Sequence, residues 1–231
     1  MAVVLAQQLD IDYLWIMDDD VLPEPDCLEK LLAQMDKTGA EVALPSREDK
    51  NYTDRVCLDL DLEDHNKFWA SLRKQVAPHP LDKETYFVKD MTFEGPLMTL
   101  EVSKKVGLPD KDYFIFFDDT DYAYRLSQYT KIVYVTDAKL RRQLAGGDPN
   151  RDSAEREYTW RNYYMMRNNI LFDKRYGKNW KVRHLSPTIM MAHMLVLSKR
   201  NKHLKHNFPI IMKAWYDGIR GKSGKRVDPN Y

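Results

Sequence analysis

Tyr13-Leu14-Trp15-Ile16-Met17 runs without a break into Asp18-Asp19-Asp20. Five large side chains in succession, two of them aromatic, read as a buried strand, parallel and covered on both faces. Upstream, Ala2 to Leu9 is a short apolar-rich helical stretch. Downstream of Pro23 and Pro25, Asp26 can cap a helix whose Leu28, Leu31, Leu32 and Met35 follow helical spacing. Gly39 ends that helix, and Glu41 to Leu44 begins a second short strand. Strand, acidic turn, helix and strand in this order are the grammar of an α/β fold.

Further along, residues 46–82 are polar and read as an excursion from the sheet, with a helix around His65 to Gln75. Asp59 and Asp61 have the spacing of a calcium loop, but the required glycine and closing glutamate are missing, so a solvated acidic loop is expected. Regularity resumes at Thr85 to Lys89 and at the turn Gly95-Pro96-Leu97-Met98. Glu101 to Val106 reads as a helix closed by Gly107, with Pro109 beyond it. Tyr113-Phe114-Ile115-Phe116-Phe117 then repeats the opening pattern, a second apolar strand running into Asp118-Asp119-Thr120-Asp121. A helix from Tyr122 to Gln128 and a strand from Lys131 to Val135 follow. Gly146-Gly147-Asp148-Pro149 marks a loop. Ser153, with Arg156 and Glu157, opens a long helix to about Phe172, Pro187 begins another, and Phe208 to Ile219 forms the last.

The chain has 231 residues, 43% hydrophobic and 31% charged, an ordinary globular composition. Cys27 and Cys57 alone exclude a disulfide framework and a multi-cysteine zinc site. The six histidines show no zinc spacing. The opening MAVVLAQQLD has no basic segment ahead of a long apolar core, so it does not read as a signal peptide. The longest apolar run, Ile189 to Leu197, is interrupted by His193 and falls far short of the roughly 20 residues that span a bilayer. A reduced, cytosol-side chain is expected. Charge is unevenly spread: Lys174 to Tyr231 holds fourteen Lys and Arg against two acids, Asp217 and Asp228, while the remainder is acidic. Such a tail suits an anionic leaflet or simply a solvated basic face. Nucleic acid is the weaker partner, because no binding motif accompanies the charge. Gly221-Lys222-Ser223-Gly224-Lys225 lacks the spacing of a phosphate loop.

The two carboxylate clusters carry most of the chemistry. Each is expected at the carboxyl end of a strand, where open α/β sheets bind ligands. Three consecutive aspartates repel one another, and a hard divalent cation with a phosphate ester would offset that charge. The second cluster supplies carboxylates able to act as a general base.

YLWIMDDDVL, Tyr13–Leu22, resembles the DxD segment of family-two inverting glycosyltransferases with the GT-A fold. EGPLMTLEVSKKVGLPDKDYFIFFDDTDYAYRL, Glu94–Leu126, resembles their acceptor-side segment and the ED motif that closes it. WRNYYMMRNNILF, Trp160–Phe172, and DGIRGKSG, Asp217–Gly224, are similar to the ending of galactofuranosyl- and rhamnosyltransferase-like members. The resemblance implies a mixed sheet flanked by helices over residues 1–150 and a helical, basic extension over residues 151–231. It implies Asp20 as direct metal ligand, Asp18 towards ribose or metal, and Asp19 in support, with Mn²⁺ or Mg²⁺ as cofactor. Asp119 would be the general base. Asp118, Asp121, Gly95 and Trp160 would serve the acceptor side, with Asp121 fixing the turn or helix start. Trp160, Tyr163 and Tyr164 also read as core or interface contacts.

Two departures from the family pattern bear on function. Where many relatives place a metal-site histidine after the strand equivalent to Lys131–Val135, this chain has Arg142, able to bind phosphate directly or to sit in a solvated basic loop. Relatives also carry a first βαβ segment before the DxD strand, whereas about a dozen residues precede Tyr13 here. The sheet is therefore expected to be N-terminally truncated, with an apolar edge that a partner chain or oligomer would cover. The expected function is sugar transfer from a nucleoside-diphosphate sugar, of the UDP-galactofuranose or dTDP-rhamnose type, to a glycan or lipid-linked acceptor. The setting would be cell-surface polysaccharide assembly, in the cytoplasm at the inner face of the plasma membrane. The alternative is an inactive remnant or an acceptor-binding partner subunit.

Overall fold

The chain begins with α1 (Ala2–Ala6), β1 (Tyr13–Trp15), β2 (Val21–Pro23), α2 (Cys27–Thr38), β3 (Val42–Asp49), β4 (Tyr52–Thr53) and β5 (Cys57–Leu60). α3 (Ala70–Arg73), β6 (Lys74–Val76), β7 (Thr85–Val88), β8 (Leu97–Thr99), α4 (Leu100–Val106), α5 (Asp118–Leu126) and β9 (Ile132–Arg142) follow. α6 (Trp160–Tyr176), α7 (Ser186–Arg200) and α8 (Leu204–Ile219) complete the order. This computed structural model describes residues 2–49, 52–143 and 157–228. Internal contacts divide the chain into two units. The first holds Met1–Leu60, Gln75–Pro109 and Asp119–Gly147; the second holds Asp61–Lys74, Asp110–Asp118 and Asp148–Tyr231. The expected division at residue 150 lies outside the described residues.

The first unit is built on a mixed sheet in the order β1-β8-β3-β9-β2, with β4 added to β3 and β7 to β9. β3 and β9 run parallel; the β1–β8, β8–β3, β7–β9 and β9–β2 pairs are antiparallel. Period-two alternation sorts the strand residues onto two faces. Val42, Leu44, Met98, Ile132 and Tyr134 pack with Val102, Tyr122, Ala123 and Leu126 of α4 and α5. Ala43, Leu97, Val133 and Val135 pack with Leu31 and Met35 of α2. α2 ends at Gly39, whose φ of 64° is the left-handed conformation that glycine adopts at helix ends. Asp26 stands at its N-cap without a side-chain capping bond and pairs instead with Lys30 at 2.9 Å.

β1 corrects the first expectation. It is a three-residue strand at the end of the sheet order, antiparallel to β8, with Tyr13 exposed and Leu14 and Trp15 half-buried. Its neighbours do follow the two-faced pattern, since Leu14 and Ile16 meet one core cluster and Trp15 the other. The polar 46–82 stretch also holds more sheet than expected: β3 extends to Asp49, β5 pairs with β6, and the helix is only the single turn of α3.

The second unit gathers α6, α7 and α8 around Tyr163, Tyr164, Met166, Ile170, Met190, Ile210, Ile211 and Ala214. α6 starts at Trp160 rather than Ser153; Ser153 and Arg156 themselves lie outside the described residues, as does the expected loop Gly146–Pro149. Thr159 caps α6, with Asn162 returning a bond to the Thr159 backbone N–H at 2.9 Å.

Tyr113–Phe117 is not a strand. A 3-10 turn over Lys111–Tyr113 leads into Phe114, Phe116 and Phe117 at φ of 67°, 61° and 68°. The apolar run serves the helices instead. The Phe114 ring lies 4.9 Å from Tyr164 and the Phe117 ring 5.6 Å from Phe172, while Ile115 and Phe116 join the helical cluster. The aspartates that follow therefore open α5 itself instead of forming a turn ahead of it.

Candidate active site

The chain past β1 is clamped to the segment before β8. Ile16 N–H donates to Pro96 O at 3.0 Å, and Gly95 N–H returns to Ile16 O at 2.8 Å. Trp15 Nε1 donates to Gly95 O at 2.9 Å. Gly95 has φ of 94°, and a Cβ there would lie 2.6 Å from Pro45 Cγ and 2.9 Å from Leu140 Cδ2. Only glycine lets the backbone at position 95 approach Pro45 and Leu140 this closely.

From this clamp the acidic turn runs beside the far end of β9. Gln143 N–H donates to Asp20 O at 2.7 Å, and Val21 pairs with Arg142. Arg142 thus lies in a strand rather than a loop. Its Nε is 3.2 Å from Glu94 Oε2, the oxygen that also takes Arg47 Nη1 at 3.0 Å. Arg47 in turn grips the buried Asp54: its Nε donates to Oδ1 at 3.0 Å and its backbone N–H to Oδ2 at 2.8 Å. The Tyr134 hydroxyl meets Asp54 Oδ2 at 3.3 Å.

Asp18 feels this arrangement directly. Burial pushes its pKa up, and Glu94, Asp20 and Asp19 push it further; the Arg142 guanidinium pulls the other way. The sequence-expected Asp18, Asp19, Asp20, Gly95 and Arg142 are therefore neighbours. Arg47 and Asp54, which complete the cluster with Glu94, belong to no recognisable motif of the sequence. The only local hint was Glu94 standing immediately before a turn glycine.

A metal is a matter of donors. Among the described residues, no three Asp, Glu, His or Cys side chains converge as a ligand set. Within the cluster, the two guanidiniums face Asp54 and Glu94, beside the carboxylates of Asp18, Asp19 and Asp20. A divalent cation at this turn would have Asp18 and Asp20 as its protein ligands, the remainder coming from a phosphate and water.

The second acidic group sits at the start of α5. Asp118 and Asp119 are half-buried, and Asp119 Oδ1 accepts the Thr120 N–H at 2.7 Å. Asp121 is fully buried. Its Oδ2 takes Arg125 Nε at 2.9 Å, and Arg125 also donates to Val106 O and Leu108 O at 2.9 Å. Asp121 thereby ties α5 to the end of α4. Trp160 belongs to the other unit, where it is half-buried, 6.2 Å from the Tyr164 ring with the Arg161 guanidinium 5.7 Å away.

The family model for Glycosyl transferase family 2 matches residues 5–90. None of the curated proteins matches the chain. Among solved structures the chain is similar to S. aureus TarS 1-349 in complex with UDP-GlcNAc, with a TM-score of 0.50 and 10% identity over 94% of this chain and 60% of that one. GalNAc-T7 with UDP, GalNAc and Mn²⁺ gives a TM-score of 0.46 and 12% identity over 94% and 43% of the two chains. A197 from STIV gives 0.43 and 13% over 60% and 62%. The chain thus spans about three fifths or less of the length of these structures. At such identity the TarS likeness speaks for the fold, a central mixed sheet flanked by helices as in GT-A proteins. The family match spans little more than a third of the chain and contains the Asp18–Asp20 turn; the TarS likeness is one of fold.

Proposed function

We propose that the protein transfers a sugar from a nucleoside-diphosphate sugar to a hydroxyl of a glycan or lipid-linked acceptor, with inversion, in cell-surface polysaccharide assembly. UDP-galactofuranose and dTDP-rhamnose are the donor types that the sequence resemblance favours. The observation that carries the reading is the joining of Asp18, Asp20, Glu94 and Arg142 beside the glycine clamp. In this reading Arg142, oriented by Glu94, offers its guanidinium to the diphosphate, whose planar oxygen pairs suit a bidentate donor. Asp18 and Asp20 accept hydroxyl hydrogens of the ribose, with Asp19 in support.

Asp119 takes the proton of the acceptor hydroxyl while Asp118 holds neighbouring hydroxyls. The acceptor oxygen forms its bond to the anomeric carbon as the carbon–phosphate oxygen bond breaks, and the electron pair leaves with the nucleoside diphosphate. Trp160 supplies an aromatic face for an acceptor sugar. No step is assigned to a metal ion. The exposed Leu5, Leu9 and Tyr13 along α1 and β1 support a second chain lying against that side of the first unit. No helix among the described residues is long and apolar enough to cross a membrane. The proposed location is the cytoplasmic face of the plasma membrane, held peripherally.

The test is calorimetric titration with UDP and dTDP, with and without Mn²⁺, followed by a turnover assay. Nucleotide affinity that falls about tenfold or more in Arg142→Ala supports the donor site. Turnover abolished in folded Asp119→Asn supports the base. Normal turnover by Asp119→Asn overturns that assignment, and an absence of nucleotide binding in every condition leaves the acceptor-binding subunit as the better reading.

A further inference from the structure

Three bulky aromatic residues at positive φ within four positions, Phe114, Phe116 and Phe117, form a backbone that does not hold itself. Something has to fix it, and the fully buried Asn168 of α6 does so. Its Nδ2 donates to Tyr113 O at 3.0 Å, Ile115 O at 2.7 Å and Phe116 O at 2.9 Å. One amide group thus gathers three carbonyls of the strained loop.

The amide is itself oriented. Asn168 Oδ1 accepts Arg167 Nε at 2.7 Å, so a flipped side chain would aim an oxygen at three carbonyl oxygens. Arg167, also fully buried, donates a second time to Tyr113 O at 2.9 Å and reaches Gly224 O at 2.7 Å. The next residue, Asn169, is equally buried on the same helix but donates to Phe68 O at 3.0 Å, away from the loop.

We propose that Asn168, oriented by Arg167, is a positioning residue for the transfer reaction: it sets the left-handed path of Tyr113–Phe117 and so fixes where the chain delivers Asp118 and Asp119. The proposal rests on the reading of Asp119 as the base. Without Asn168 the three carbonyls lose their shared donor, the loop relaxes to an ordinary backbone path, and the carboxylates that follow move with it. A shift of about 1 Å in a catalytic group is enough to lower turnover about a hundredfold.

The experiment compares Asn168→Ala and the isosteric Asn168→Asp with Asn169→Ala, which removes a buried asparagine of similar structural weight. Expected for both Asn168 variants is a fall in kcat of about a hundredfold with the donor KM and the UDP affinity unchanged. Asn169→Ala keeps kcat within a fewfold at comparable loss of stability. Amide hydrogen exchange supplies a readout that needs no turnover: residues 113–119 exchange faster in the Asn168 variants and not in Asn169→Ala. Equal loss of kcat in Asn168→Ala and Asn169→Ala, or unchanged exchange of the loop, overturns the proposal. If Asp119→Asn is inactive while Asn168→Ala turns over normally, only the positioning role falls. If Asp119→Asn is active, the base reading falls first and the positioning role with it.

Discussion

Asp18 is exposed along part of its side chain, yet burial of the rest and three neighbouring carboxylates raise its pKa above the ordinary 3.8. A raised folded-state pKa means that the native form holds its proton more tightly than the unfolded chain does. Stability from this group is complete below about pH 3.8 and is lost as pH rises through the raised value. Asp18→Asn removes that penalty. Its melting temperature should exceed that of the native sequence at pH 7, and the difference should vanish near pH 3. A variant that is less stable at pH 7 would show that the acidic turn stabilises the fold instead of straining it. The residues of this turn were legible because repulsion among three aspartates is visible in any notation. Arg47, Asp54 and Glu94 are not: Arg47 and Asp54 are only seven residues apart but carry no motif, and Glu94 reaches Arg47 and Arg142 across forty-seven and forty-eight residues of chain.

At the scale of elements, periodicity and caps succeeded where they had something local to act on. α2 and α4 lie within a residue or two of their expected bounds, and each ends at its expected glycine, Gly39 and Gly107. The two apolar runs that were expected as buried strands differ for one reason. YLWIM and YFIFF are alike as runs of large apolar side chains, and such a run does not say whether its partners are strands or helices. In YLWIM the carbonyls and N–H groups pair with the β8 segment; in YFIFF the carbonyls are taken by an asparagine three turns into a helix. Asn168 carries no pattern of its own in the sequence, so the loop it governs reads as a strand. α6 offers a separate check. Thr159 accepts the Arg161 N–H at 3.3 Å and Asn162 answers at the Thr159 backbone. Thr159→Ala should cost about 1 kcal/mol in urea unfolding, with the m-value unchanged. No measurable loss would mean that the packing of α6 on α8, rather than the cap, fixes where the helix begins.

At the scale of the whole molecule, the division of charge outlasts the detail of either unit. Lys174 to Tyr231 is strongly basic by count, and Lys181, Arg183, Lys199, Arg200, Lys202 and Lys205 of that stretch are exposed. Among them stand apolar side chains that the helical core does not cover: Trp180 is 67% exposed, Val196 65% and Phe208 50%. Cations interspersed with exposed aromatic and aliphatic groups suit the interface of an anionic leaflet, where each Lys or Arg near the surface contributes about 1 kcal/mol. The attraction is screened within about 10 Å at 0.1 M salt, so it should fade as salt rises. Cosedimentation should accordingly be strong with vesicles containing an anionic phospholipid, weak with purely zwitterionic ones, and largely reversed by 0.5 M NaCl. Replacing Lys199, Arg200, Lys202 and Lys205 together by glutamine should lower that binding at least tenfold while leaving UDP affinity as it was. Equal binding to neutral and anionic vesicles would refute a leaflet as the tail's partner and leave the basic face as solvated surface.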